Sequence, residues 1–187
     1  MKRFFRPLIP ATLLAVVLAA NVQAKSPPTG VVNFGRFTPP AAHGEFVEVN
    51  INSNLIAMAI RLGKDSEPEL ADLLRGLEGI HVNVIGLDDT NRSDVLARVQ
   101  TIRADLDARG WSRVVTVQQK DQDIGVYIRT RGDESVMGVA VTVISENKQA
   151  VLINVVGDIK LEKLAAIGER FNIEPLKKIG FVATKKS

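Results

Sequence analysis

Two histidines and one run of acids hold most of the residue types from which chemistry could be built. His43 lies in a Pro/Gly-rich stretch, and His81 lies in a run that alternates like a strand. Two isolated imidazoles without ligand spacing make neither a zinc site nor a triad, so His81 reads as a polar-face residue. Asp88, Asp89, Asn91 and Asp94 form the densest acidic cluster, and Asp158 follows another strand end. Carboxylates gathered this way could hold a divalent cation. The EF-hand pattern fails, because Thr90 and Arg92 take the alternate positions and no central glycine follows. Capping of a helix N-terminus accounts for the acids more simply. Arg131-Gly132-Asp133 is ordinary turn chemistry. The chain has no cysteine, and no nucleophile elbow, zincin, P-loop or dinucleotide motif. The expectation is a chain without catalytic residues, metal or cofactor. The enzyme alternative is a metal-assisted envelope hydrolase using Asp88, Asp89 and Asp158.

Strands and helices must position these residues, and their signals run along the chain. Glu45 to Ile51 alternates and predicts a strand. Leu55 to Leu62 carries a helical stripe, and Ser66 and Glu69 match a capping box with Pro68 in the first turn of a second helix. Ile80 to Ile85 is the next strand. Asp88, Asp89 and Thr90 then offer caps for a long helix to Arg109, with the stripe Val95, Val99, Ile102 and Leu106. Four strands come next, over 111–118, 124–130, 136–144 and 150–156, separated by short polar turns. Asp158 caps a last helix carrying Leu161, Leu164, Ile167 and Phe171. The order β-α-β-α-β-β-β-β-α predicts an α+β fold, with a mixed, largely antiparallel sheet and the helices on one face.

Alternation also predicts two unlike sheet faces. Val47, Val49, Val82, Val84, Val126 and Ile128 share one, expected to meet the helices. Glu48, Asn50, His81, Asn83, Tyr127, Arg129 and Asn154 share the other. That second face is either the wet side of an antiparallel sheet or a shallow binding surface for a small ligand or an envelope protein.

The remaining composition excludes some partners and gives an address. Lys2, Arg3 and Arg6 precede the uncharged run Leu8 to Ala20, and Val22-Gln23-Ala24 reads as a cleavage site. The pattern predicts a secretory signal peptide over 1–24. The run would extend about 20 Å as a helix, short of a bilayer core of about 30 Å. Those three basic residues account for the whole excess of 24 basic over 21 acidic residues, so the rest of the chain is formally neutral. Nucleic acid is therefore not an expected partner. The expected order is a Pro/Gly-rich leader over 25–44, one domain over 45–176 and a basic tail over 177–187. The mature protein is expected to be periplasmic or secreted, with no stable membrane anchor and no lipid-bearing cysteine.

Several strings carry a resemblance: Phe46-Val47-Glu48-Val49-Asn50, Val82-Asn83-Val84-Ile85-Gly86, Gly110-Trp111, Val114-Val115, Thr130-Arg131-Gly132-Asp133-Glu134 and Asn154-Val155-Val156-Gly157-Asp158. Together, from about Gly30 to Lys177, the chain resembles the bacterial family catalogued as domain of unknown function 4252. The resemblance implies export and carries over no activity and no catalytic residue. It also implies a setting beside alternative sigma-factor systems, which gives a third reading: an accessory of envelope signalling.

Overall fold

The structure, a computed structural model, describes residues 30–41, 44–132, 135–145 and 149–160, with 163, 166 and 169 beyond them. The expected signal peptide, His43, Asp133, the stripe Leu161, Leu164, Ile167 and Phe171, and the basic tail lie outside the described residues.

Among the described residues six strands form one sheet: β1 (Phe46–Asn52), β2 (Leu77–Gly86), β3 (Ser112–Gln118), β4 (Gln122–Arg131), β5 (Ser135–Ser145) and β6 (Gln149–Lys160). Their order is β1-β2-β6-β5-β4-β3. Every pairing is antiparallel, so the α+β class holds while the expected parallel component is absent among the described strands. Three consecutive hairpins build β3 to β6, which is what short polar turns between β-rich runs dictate.

Two short helices, α1 (Ser53–Gly63) and α2 (Pro68–Leu74), join β1 to β2. Asn52 caps α1 by accepting the Leu55 N–H at 3.1 Å. Pro68 opens α2, but the cap position is Glu67 rather than the expected Ser66, and no side chain caps the helix end there. Both helices pack on the valine face but stop short of its β1 edge, where Val47 and Val49, expected beneath them, are exposed. Ile56 and Leu74 are buried there with Val126, Val141, Ile153 and Val155.

The third helix, α3 (Arg92–Ala108), takes the other face, which corrects the expectation that all helices share one side. Its stripe Val95, Val99, Ile102 and Leu106 is buried against Ile85, Leu87, Tyr127, Ala140, Ala150 and Leu152. Topology explains this. The chain leaves β2 near one edge of the sheet and must reach β3 at the other, about 19 Å away over four strand spacings. A helix of 17 residues, about 25 Å long, bridges that span. Small residues under it, among them Ala140 and Ala150, leave room for the helix on a face otherwise read as polar.

The leader also belongs to the core rather than preceding it. Val32 and Phe34 are buried with the α3 stripe and Trp111. The chain can lie this close to the sheet because it passes over Gly138, where a Cβ would sit 2.6 Å from the Gly30 carbonyl oxygen and 2.8 Å from the Trp111 ring.

Candidate functional site

The seven residues expected on the polar face do share it, and the structure divides them into three groups. Glu48 pairs directly with Asn83, and Asn50 with His81, across β1 and β2. These four side chains form a two-by-two patch and line a cleft of about 410 Å³. Its other wall is the leader, Val31 to Gly35, with Arg109 at the end of α3. That volume falls in the range of about 300–1,000 Å³ usual for ligand clefts.

Within the patch, hydrogen bonds fix the chemistry presented. The Asn50 amide nitrogen donates to Glu48 Oε1 at 2.7 Å. Its Oδ1 is therefore the acceptor facing His81 Nδ1 at 2.9 Å. This puts the imidazole proton on Nδ1 and leaves Nε2 as a bare acceptor. Burial pushes the His81 pKa down, so the ring is neutral at neutral pH. Glu48 keeps one oxygen uncommitted and has no ion pair among the described residues. Arg109 is held in a bidentate pair with Asp105, at 2.9 and 2.8 Å.

Asn83 differs from its neighbours. It is only 7% exposed, lines the cleft, and its carboxamide bonds to no other described residue. Its amide atoms keep solvent access through the cleft, unlike the enclosed and unpartnered Tyr127 hydroxyl.

Asn154 and Tyr127 are covered instead of wet. Asn154 is fully buried under the leader: its Oδ1 accepts Val32 N–H at 2.9 Å, and its Nδ2 donates to Gly30 O at 3.1 Å and Val139 O at 3.0 Å. Tyr127 lies fully buried beneath α3, and its hydroxyl finds no partner among the described residues. Burial raises its pKa, and the Arg113 guanidinium stands over its ring at 5.0 Å. Arg129 braces the end of α3, donating to Arg109 O at 2.6 Å and Gly110 O at 2.7 Å. All three make contacts within the fold and none lines the cleft.

Sequence reasoning passed over Arg103. It sits on the inner side of α3, bonding Thr142 Oγ1 at 3.0 Å and Asp123 at 2.8 Å. Its position four residues after Val99 was the available signal. Val31 and Asn33 of the leader were likewise not assigned to a site.

The acidic residues do not converge. Asp88 makes a turn: one carboxylate oxygen accepts from the Thr90 hydroxyl and from the Thr90 and Asn91 main-chain N–H groups, the other from Ala41 N–H. The Thr90 hydroxyl leads the causes that hold the Asp88 carboxyl below its usual pKa. Asn91, not Asp88, occupies the cap position of α3. Asp158 lies within β6 rather than capping a helix, and its main-chain N–H donates to Gly76 O. Asp88 follows the end of β2 paired with Gln149, whereas Asp158 lies by the end paired with Gly157. About 30 Å of strand separates them. Asp88, Asp89 and Asp158 therefore share no site. Among the described residues no three His, Cys, Asp or Glu side chains come together as a metal cage.

A larger hollow, about 500 Å³, is lined by Ser66 to Leu70 and Leu73. None of those residues is buried, so it lacks the fixed polar group that the β1–β2 cleft has.

The family profile described as "Domain of unknown function (DUF4252)" matches residues 42–167. The chain belongs to that family. No protein of curated function and no solved structure matches it. Family membership thus names no reaction, which leaves the geometry of the β1–β2 cleft as the ground for a functional reading.

Proposed function

We propose that this chain is an exported, non-catalytic binding module of the bacterial envelope, and that its ligand seats in the cleft between the leader and β1–β2. The observation that supports this is Asn83. Its side chain is largely enclosed, yet its carboxamide bonds to no other described residue and opens on a cleft of ligand size, so it is available to a group from outside. Around it the groups are acceptors: one Glu48 oxygen and the His81 Nε2. None is arranged as a nucleophile with its base. An accessory of envelope signalling would hold its partner through the same cleft.

Two measurements test this. The Asn83 side-chain amide signal in nitrogen–proton spectra should shift when native envelope fractions are titrated in, and the effect of those fractions should vanish in Asn83→Leu. Shifts confined to other surfaces would overturn the assignment of the cleft. N-terminal sequencing of the exported protein should begin at Lys25; a form beginning at Met1 would overturn the exported part of the reading.

A further inference from the structure

We infer that the cleft takes an extended peptide, read through its main chain, with a basic side chain opposite Glu48. This rests on the cleft being the binding site and adds the class of ligand.

The molecule already contains one example of the recognition required. Asn154, on the same sheet face, accepts from Val32 N–H and donates to Gly30 O. A single carboxamide thus grips an extended main chain at residues i and i+2. Asn154 pairs with His81 across β6 and β2, and Asn83 is two residues further along β2. Asn83 therefore presents a second carboxamide on the same face, one strand over, with nothing yet in its grip.

The leader supplies the matching edge. Gly30 O, Val32 N and Phe34 O are all engaged, the last by Arg98 Nε at 3.1 Å. In an extended chain, alternate residues turn their N–H and C=O groups to opposite sides. The main-chain groups of Val31 and Asn33 accordingly point the other way, and they bond to no other described residue. Both residues line the cleft. An added strand would pair with this edge, as in β-augmentation. Four leader residues, Val31 to Phe34, border the cleft before the chain turns at Gly35 (φ 73°), about 14 Å of extended chain and enough to pair with about four residues of ligand. Glu48, with a free oxygen and no cation paired to it among the described residues, favours a lysine or arginine opposite it.

The probes are acetylated, amidated pentapeptides of alternating valine, with lysine or with glutamate at the intervening positions. A lysine peptide with alternate main-chain nitrogens methylated is added, as is the N-acetylglucosamine dimer, which offers amides without an extended main chain. The lysine peptide should shift the Asn83 side-chain signal, bind more tightly than the glutamate peptide, and lose about tenfold in affinity in Asn83→Leu. Methylation of its nitrogens should weaken it similarly in the wild-type protein, a control that needs no variant to fold. Equal binding of methylated and unmethylated peptides would overturn main-chain reading. If the sugar dimer alone shifts Asn83, the peptide inference fails and the binding module stands. If neither these probes nor any envelope fraction shifts it, both fall.

Discussion

At the scale of single residues, burial and partner count decide what each polar group contributes. The folded-state pKa of His81 is depressed by burial, so the unfolded chain binds its proton more readily. Stability should therefore be level above the unfolded value, about pH 6.5, and decline as pH falls from there through the folded pKa. The urea midpoint tracked between pH 7.5 and 5 checks this, and His81→Asn should flatten that part of the profile. Tyr127 offers a test of opposite sign. Its buried hydroxyl has no partner among the described residues, so Tyr127→Phe removes a desolvation cost of about 1–3 kcal/mol and should raise the midpoint. A drop would mean that the hydroxyl holds an internal water. Alternation was enough to put Glu48, Asn50, His81 and Asn83 on one face, because cross-strand pairing keeps the period of two. It could not show that Tyr127 and Asn154 are covered. That depends on the leader and α3, which come from distant parts of the chain.

At the scale of elements, the α3 stripe was legible and its destination was not. A spacing of 4, 3 and 4 says that one side of a helix is buried, but not against which side of a sheet. The size of Ala140 and Ala150 decided that here. Leu106 is 1% exposed, so Leu106→Ala should cost about 2–5 kcal/mol in chemical denaturation. Leu62, on α1, is 75% exposed, and Leu62→Ala should stay within about 0.5 kcal/mol. Composition hides how the leader packs. Its prolines and glycines signal loop, yet Val32 and Phe34 are two apolar residues on one side of an extended chain. Phe34→Ala should cost about 3–5 kcal/mol, as large as a mid-sheet truncation, and should also loosen the wall of the cleft. A change below about 0.5 kcal/mol would return the leader to the status of a tail.

At the scale of the whole molecule, the hairpins were legible from their turns, whereas the strand order was not. Among the described strands the last, β6, lies between β2 and β5 and joins two parts that share no other pairing: β1–β2 on one side, β5–β4–β3 on the other. A chain ending after Ser145 would leave β2 and β5 with bare edges, and should aggregate instead of melting cooperatively, as light scattering and calorimetry would show. The grip of Asn154 on Gly30 and Val32 adds a matter of timing. The two partners are separated by 124 and 122 positions. Synthesis runs from the N-terminus, so the stretch around Val32 waits for 122 further residues before its seat exists. Throughout that interval Val32 and Phe34 remain uncovered, open to any chaperone. Val32 and Phe34 are made long before the residues that seat them.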